Sequence, residues 1–233
     1  MTTAFANPLL ATPARALPRA VAVIGAGTIG PDIGYYLKSA LPELKLYLVD
    51  VSQKAVDSAL LRFQEYSKKA VAKGKMSEAD AKAVTSNLVG TLDYADIAEC
   101  DWVIEAATEN LSLKRKIFAQ IEAVVRPDAL ITSNTSSLPA QMIFSEMKHP
   151  GRATVTHFFA PAWRNPAVEV IRWKKTDPAV VEYLRWAFCM TGKVPLVTAD
   201  VACFMLDRIF DNWCNESALL LDSATAAEVD SVA

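Results

Sequence analysis

His157 and Glu169 are the residues whose types and spacing most directly suggest proton-transfer chemistry. His157 lies near the end of one predicted strand, and Glu169 follows 12 positions later on the next. Pro161 and Pro166 turn the chain between them, so the second strand could return beside the imidazole. A neutral imidazole next to a carboxylate is a general base with a partner that orients it. From the residues alone, a single histidine near a strand end is more often structural than catalytic, so both interpretations stay open.

A hydroxyl-rich segment, residues 132–138 (TSNTSSL), ends another predicted strand and contains Ser136, 21 positions before His157. The carboxyl ends of strands in an open α/β sheet face a common crevice, where ligands bind. Ser136 is therefore expected near His157. The alternative is that Ser136 and Ser137 only cap the helix that follows.

A glycine motif, GAGTIG at residues 25–30, directly follows an apolar run and opens a helical one. This is the context of a dinucleotide-binding fingerprint, in which the loop and the helix N-terminus face a pyrophosphate. The predicted contact residues are Gly25, Ala26, Gly27, Thr28, Ile29 and Gly30. Asp50, 20 positions after Gly30, ends the second strand, where its carboxylate would accept both ribose hydroxyls and repel a 2'-phosphate. The sequence thus predicts NAD as the cofactor, and the alternative is an ordinary glycine-rich turn.

The elements that must position these residues alternate along the chain. The predicted strands cover residues 20–25, 44–49, 88–92, 102–107, 129–133, 153–158, 168–173 and 194–197. The predicted helices cover residues 28–40, 54–72, 77–86, 113–125, 179–190 and 204–223, with Ser77 and Asp80 marking the start of the third. Such alternation predicts the α/β class: a doubly wound, mostly parallel Rossmann-type sheet, followed by the start of an all-helical C-terminal domain.

Three segments are predicted: a flexible arm at residues 1–19, a cofactor domain at 20–200, and the beginning of a helical domain at 201–233. The arm is rich in proline and has arginine but no acidic residue, which leaves a transit peptide as a weaker alternative. The last predicted helix has an apolar face with no later element to cover it. We therefore expect the rest of this domain, or a second copy, to pack there.

Composition bounds the partners and the compartment. The 233 residues include 24 Lys plus Arg and 26 Asp plus Glu, a net charge of -2 that gives no general reason to bind nucleic acid. No apolar run approaches the roughly 18 residues that a membrane helix needs. The four cysteines and two histidines have no metal-ligand spacing, so no metal site is expected. A cytoplasmic protein is predicted.

Taken together, the motifs resemble the 3-hydroxyacyl-CoA dehydrogenase family. The matching stretches, in family order, are GAGTIG with Gly34, Val49-Asp50, EAATEN (residues 105–110), SNTSSL (133–138), HFFAP (157–161) and VEVI (168–171).

The resemblance implies NAD-dependent oxidation of a 3-hydroxyacyl-CoA, as in fatty acid β-oxidation. It places His157 on the catalytic histidine, Glu169 on its carboxylate partner, and Ser136 on a serine that contacts substrate and cofactor. Further cofactor contacts are implied at Ala107, Glu109 and Lys114, although Glu109 could be an ordinary polar residue at a strand end and Lys114 part of a solvated helix face. Relatives bind coenzyme A with the second helix, so its basic cluster, Lys68, Lys69, Lys73 and Lys75, suggests a substrate contact, assigned to Lys73. A homodimer through the C-terminal helical region is also implied.

Two positions depart from the family. Ala160 and Asp207 stand where relatives have asparagines, and Asp207 is counted with the catalytic residues. A carboxylate beside His157 would favour the imidazolium and oppose proton abstraction, unless it meets an unusual substrate. We therefore expect a substrate with an atypical acyl group. Trp163 and Trp173 make an aryl or cyclic acyl group possible. The alternatives are a catalytically weak NAD-binding protein with a structural or regulatory role, and a dehydrogenase of a non-CoA hydroxy acid.

Overall fold

A computed structural model describes residues 12–232, and in this range eight strands form a single sheet of order β3-β2-β1-β4-β5-β6-β7-β8. The strands are β1 Ala20–Ile24, β2 Lys45–Val49, β3 Leu88–Thr91, β4 Trp102–Glu105, β5 Leu130–Ser133, β6 Ala153–Phe158, β7 Ala167–Arg172 and β8 Val194–Ala199. The helices are α1 Gly30–Ala40, α2 Gln53–Ala72, α3 Glu78–Thr85, α4 Leu111–Val124, α5 Ala140–Ile143, α6 Pro178–Met190, α7 Leu206–Leu219 and α8 Ala226–Val232. The predicted α/β class is confirmed, and every predicted strand agrees to within two residues.

The first six strands are parallel, and β7 reverses the direction. β7 pairs antiparallel with β6, and β8 runs parallel to β7. The order 3-2-1-4-5-6 of the parallel part changes direction between β1 and β4, the place where doubly wound sheets form their ligand crevice. The carboxyl ends of β1, β4, β5 and β6 therefore meet the amino end of β7 at one edge.

Helices cover both faces of this sheet, which is why its strands are apolar throughout rather than alternating. Along β1, Val21 and Val23 pack into a core with α1, α2, α3 and α6, while Ala22 and Ile24 pack into a second core with α4 and α5. The central strands are fixed from both sides. They form a rigid base for the loops at the crevice.

Helix starts follow the residue types at the caps. The Ser77 hydroxyl accepts a hydrogen bond from the Asp80 N–H at 3.0 Å, which confirms the predicted start of α3. α1 begins at Gly30 rather than at residue 28, because Gly27 and Thr28 remain in the loop and Pro31 occupies the first turn.

The predicted helix at residues 204–223 begins two residues too early, and its last turn, Leu220–Asp222, is a 3-10 helix rather than part of one continuous α-helix. Cys203 and Phe204 have left-handed φ angles of 57° and 45°, so the helix, α7, begins only at Leu206. It ends at Leu219, and a separate helix, α8, follows that the periodicity did not reveal. α7 has no buried residue in the described range, and Ile209, Phe210 and Trp213 are exposed.

The predicted N-terminal arm is only partly described, since residues 1–11 lie outside the described range. Residues 12–19 have no regular secondary structure but lie against the domain. Leu17 packs on the core, and the Ala16 carbonyl accepts a hydrogen bond from Tyr183. These two contacts tie residues 16 and 17 to the domain, and the flexible arm stays a prediction. In residues 12–232, no helix combines the length and apolar character needed to cross a membrane.

Candidate active site

His157 and Glu169 form a buried hydrogen-bonded pair at the crevice edge. They are direct cross-strand neighbours in the β6–β7 ladder, and Nδ1 of His157 lies 2.8 Å from Oε2 of Glu169. The expected return of Glu169 beside the imidazole is therefore confirmed. When Nδ1 donates its hydrogen to the carboxylate, Nε2 is left with a lone pair and can accept a proton.

The second oxygen of Glu169 binds the start of α7. Oε1 accepts hydrogen bonds from the backbone N–H groups of Met205 at 2.9 Å and Leu206 at 3.0 Å. Burial alone would raise the pKa of Glu169, but the hydrogen bonds from His157, Leu206 and Met205 outweigh it and lower that pKa below its ordinary value. The partner of the imidazole is a carboxylate that stays charged.

Asp207 approaches the other side of the same ring. Its Oδ2 lies 3.8 Å from Nε2 of His157, and its side chain is 27% exposed. Burial raises the pKa of Asp207; the charge of His157 lowers it, and the neighbouring carboxylates of Glu169 and Asp211 raise it further. The predicted proximity of Asp207 and His157 is confirmed, and two acidic residues flank one imidazole.

Two aromatic rings complete the surroundings of His157. The ring of Phe159 lies 4.3 Å from the imidazole, centroid to centroid, and that of Phe204 lies 5.9 Å away. Sequence reasoning did not single out either residue, and it missed the N–H groups of Met205 and Leu206. The HFF run places Phe159 near His157, but no pattern marks the turn at Phe204.

Ser136, which follows β5, is held by Glu109, which follows the neighbouring strand β4. Oε1 of Glu109 accepts hydrogen bonds from the Ser136 N–H at 2.9 Å and from its hydroxyl at 3.2 Å. The alternative that Ser136 caps the following helix is wrong, because the first N–H groups of α5 bind the carboxylate of Asp200 instead. Ser136 is half-buried and Glu109 is exposed, so both side chains are open to a ligand.

Lys114 is buried behind this pair. Its Nζ lies 2.6 Å from Oε2 of Glu105 and 3.7 Å from Oε2 of Glu109. The interpretation of Lys114 as part of a solvated helix face is wrong, because its side chain is buried. Glu105 is fully buried, and its other oxygen accepts a hydrogen bond from the Ala107 N–H at 2.9 Å. Lys114 therefore links the end of β4 to Glu109, and the predicted cofactor contacts of Ala107 and Lys114 stay predictions.

The glycine loop has the shape that a dinucleotide needs. A Cβ on Gly25 would lie 2.6 Å from the Ala106 carbonyl oxygen, and one on Gly30 would lie 1.9 Å from that of Gly25. A Cβ on Gly27 would meet nothing within 4 Å, so the backbone there borders open space. The loop packs against its own scaffold at two glycines and is open at the third, as the binding of a pyrophosphate requires.

Asp50 closes one end of this loop. Its Oδ2 accepts a hydrogen bond from the Ala26 N–H at 2.8 Å, and its Oδ1 accepts one from the Ser52 N–H at 3.0 Å. Each carboxylate oxygen has a further lone pair, so Asp50 retains the capacity to accept two ribose hydroxyls. The residues present fit an NAD molecule.

The predicted basic cluster on and after α2 is divided between two depressions: Lys69, Lys73 and Lys75 line one, and Lys68 lines the other. Lys73 borders a cavity of about 450 Å³ whose other lining residues are Tyr35, Ser39, Tyr66, Lys69, Ala70, Lys75, Met76 and Trp163. Lys68 faces a different depression, together with residues of α3. Trp173 does not reach either site, because it is buried against Phe144. The structure therefore does not support the expectation that Trp173 contacts an aryl or cyclic acyl group.

Lys193 is a buried cation that the sequence pattern did not reveal. Its Nζ donates hydrogen bonds to the backbone carbonyls of Ala162 and Asn165, in the loop between β6 and β7. It also lies 4.4 Å from the centre of the Tyr36 ring. Burial lowers the pKa of Lys193 to about 8. This lysine fixes the loop that carries Trp163 toward the cavity.

Comparisons with known proteins agree with this geometry. Residues 20–201 match the family model of the 3-hydroxyacyl-CoA dehydrogenase, NAD binding domain. The chain is similar to (S)-3-hydroxybutyryl-CoA dehydrogenase from Ralstonia eutropha, with 31% identity and a TM-score of 0.85 over 91% of this chain and 75% of that one. It is also similar to 3-hydroxybutyryl-CoA dehydrogenase from Escherichia coli K12, with 32% identity and a TM-score of 0.85 over 90% of this chain and 44% of that one.

A third similar structure has a different substrate in its name. It is the NAD+-dependent 5-formyl-3-hydroxy-2-methylpyridine 4-carboxylic acid 5-dehydrogenase, with 27% identity and a TM-score of 0.79 over 91% of this chain and 69% of that one. The cofactor of the matching domain is NAD. With its fingerprint loop, its sheet order and a match over most of its length, the chain belongs to the 3-hydroxyacyl-CoA dehydrogenase family and contains that family's NAD-binding domain.

Proposed function

We propose that this protein oxidises a 3-hydroxyacyl-CoA to the 3-oxoacyl-CoA, with His157 as general base and Glu169 as its partner. The observation that carries the proposal is the buried 2.8 Å contact between the two side chains at the crevice edge. A carboxylate at Nδ1 fixes the ring orientation and stabilises the positive charge that the ring gains on accepting a proton.

In the proposed reaction, Nε2 of His157 accepts the proton of the 3-hydroxyl group as the C3–O bond becomes a carbonyl. NAD, when bound, supplies the acceptor for the hydride that leaves C3. The Ser136 N–H stays bound to Glu109, while the Ser136 hydroxyl turns from Glu109 and donates its one hydrogen to the substrate oxygen. Glu169 remains ionised throughout, because three hydrogen bonds favour its charged form.

The acyl carrier is proposed to be coenzyme A. The cavity beside α2 offers apolar rings for a nucleotide or pantetheine group, and Lys69, Lys73 and Lys75 at its border offer cations for phosphates. Lys73 is kept as the assigned contact. Lys68 is left out, because it faces the other side of the helix.

The deciding experiment measures NADH formation at 340 nm with short, long, branched and dicarboxylic 3-hydroxyacyl-CoAs. We expect turnover of at least one of them, and a loss of that turnover in His157→Gln with NAD binding retained. Absence of turnover with every thioester would overturn the proposal. Trp163 is the aromatic side chain that could favour an aryl or cyclic acyl group, so such thioesters belong in the same series.

A second candidate is a non-CoA hydroxy acid as substrate. One observation in its favour is that the carboxylate of Asp207 lies next to His157. The other is the similarity to a dehydrogenase that is named for a pyridine carboxylic acid rather than for a CoA thioester. Inhibition of turnover by free coenzyme A would argue against it. The remaining alternative, a catalytically weak NAD-binding protein with a structural or regulatory role, predicts tight NAD binding and a low rate that His157→Ala does not change.

The wider predictions are part of the same proposal. We infer a cofactor domain at residues 20–200 and a helical region from residue 201 through which two copies associate. The exposed residues of α7 support such an association. A role in fatty acid β-oxidation and a cytoplasmic location complete the proposal.

A further inference from the structure

Arg62 of α2 makes three contacts, two with the glycine loop and one with the first turn of α1. Nη1 donates a hydrogen bond to the Gly27 carbonyl at 2.8 Å, and Nη2 donates one to the Thr28 carbonyl at 2.9 Å. Nη2 also lies 2.6 Å from Oδ1 of Asp32 in the first turn of α1. The planar guanidinium thus binds two successive carbonyls and a carboxylate at once.

These contacts determine where the loop's donors point. In a trans peptide the C=O and the following N–H point in opposite directions. With the carbonyls of Gly27 and Thr28 turned toward Arg62, the N–H groups of Thr28 and Ile29 are turned away from it. A Cβ on Gly27 would meet nothing within 4 Å, so the loop backbone leaves room for a pyrophosphate at the start of α1, where these N–H groups could bind it.

The charge of the pair matters as well as its geometry. The Asp32 side chain is only 6% exposed and stands in the first turn of α1, close to where the pyrophosphate would lie. Unpaired, this carboxylate would repel the cofactor phosphates. Arg62 neutralises it, and the Tyr66 hydroxyl donates a further hydrogen bond to the same oxygen at 3.0 Å.

We infer that Arg62 is a positioning residue for the cofactor: it holds the Thr28 and Ile29 N–H groups toward the pyrophosphate and neutralises Asp32 beside it. The inference rests on the dinucleotide occupying the glycine loop. It adds a side chain from α2, which lies outside the fingerprint, to the determinants of pyrophosphate affinity.

The test compares NAD, ADP and adenosine as ligands of the full chain by titration calorimetry. Arg62→Met keeps the aliphatic stem and removes the guanidinium. We expect the dissociation constants for NAD and ADP to rise about tenfold or more, because hydrogen bonds from a charged group are lost. Adenosine, which has no pyrophosphate, should bind as it does to the original protein.

Three further variants separate charge from geometry. Arg62→Lys keeps one positive charge but not the fork, so its NAD affinity should fall between those of Arg62→Met and the original protein. Arg62→Met combined with Asp32→Asn removes the unpaired carboxylate and should recover part of the lost affinity. Arg185→Met is the matched control, because Arg185 forms an exposed pair with Glu182 on α6; it should leave all three ligands unaffected.

Two results would overturn the inference: unchanged NAD affinity in Arg62→Met, or equal weakening of NAD, ADP and adenosine, which would show only a distorted loop. Failure of the original protein to bind NAD would instead contradict the cofactor site itself. Thermal melting of each variant establishes that it is folded.

Discussion

The two ends of the crevice hold their polar groups in different ways. Around the glycine loop, side chains bind the main chain: Asp50 accepts the Ala26 N–H, and Arg62 binds the Gly27 and Thr28 carbonyls. At the other end, the imidazole of His157 is held by a side chain, the carboxylate of Glu169, and only the second oxygen of that carboxylate binds the main chain, at Met205 and Leu206.

This difference separates binding from proton transfer. Side chains that fix a backbone shape a surface whose donors are already in place, so changing them should alter affinity. A carboxylate that fixes an imidazole controls where a proton goes, so changing it should alter rate. The following substitutions test whether the separation is real, beginning with the largest expected effect.

His157→Gln should lower kcat about 10³-fold, because a general base is removed. The NAD dissociation constant should stay within twofold, since the loop at residues 25–30 is untouched. Steady-state kinetics and calorimetry measure the two quantities. A comparable loss of NAD affinity would break the proposed separation.

Glu169→Gln should lower kcat about 10²-fold, because an amide cannot fix the same ring tautomer or stabilise the ring's charge. NAD affinity should again be unchanged. Glu182→Gln, in the exposed pair with Arg185, is the matched control and should keep full activity.

The same substitution makes a prediction about stability and pH. The pKa of Glu169 in the folded protein lies below its ordinary value of 4.5, so its charge stabilises the fold above that pH. The contribution is lost as the pH falls through the lowered pKa. The difference in unfolding free energy between the original protein and Glu169→Gln should therefore be largest near neutral pH and shrink in acid. Urea titrations at several pH values measure it, and a difference that grows in acid would contradict the assignment.

Asp50→Ala should raise the NAD dissociation constant about tenfold, because the ribose hydroxyls and the Ala26 N–H lose their acceptor. At saturating NAD, kcat should be retained. The ratio of the NADP dissociation constant to the NAD dissociation constant should become smaller, because the carboxylate no longer repels the 2'-phosphate. Binding titrations with both cofactors check this, and a lower kcat at saturation would count against a pure binding role.

Asp207→Asn should raise kcat for oxidation about fivefold near neutral pH, because a negative charge 3.8 Å from Nε2 favours a ring that already carries a proton and therefore cannot accept the one from the substrate hydroxyl. The pKa of Asp207 is raised above its ordinary value, so its carboxyl becomes neutral as the pH falls. The two rates should then converge in acid. A pH–rate profile measures this, and a lower rate in Asp207→Asn would instead indicate that the carboxylate contacts the substrate.

The parts of the fold that could be predicted from sequence are those with a repeating pattern. The short β-branched runs and the helical periodicity gave the strands and most helices, because burial on two faces leaves a continuous apolar signal. The start of α7 could not be predicted, since the left-handed Cys203 and Phe204 depend on tertiary contacts rather than on residue type. The exposure of α7 could not be predicted either, because the spacing of its apolar residues is the same whether or not a partner covers that face.

The candidate site divides in the same way. His157 and Glu169 were identified from their residue types and spacing, whereas Ser136 and Asp207 were singled out through the family resemblance. The structure brings His157, Glu169 and Asp207 together. Arg62 was missed because its acceptors are main-chain carbonyls, which every residue has. Burial of Lys114 and Lys193 was missed for a related reason: a lysine in a charged helix or turn looks solvated until its partners are known.

The reversal of the chain at β7 gives the enzyme a natural point of divergence. Hydrogen bonds of the ladder, from Thr156 opposite Val170 to Phe158 opposite Val168, set the His157–Glu169 pair, while Lys193 separately ties down the hairpin loop between them. Mutations in that loop can therefore accumulate without disturbing the register of the two strands. The contacts around Trp163 can therefore change while the geometry of the His157–Glu169 pair is kept.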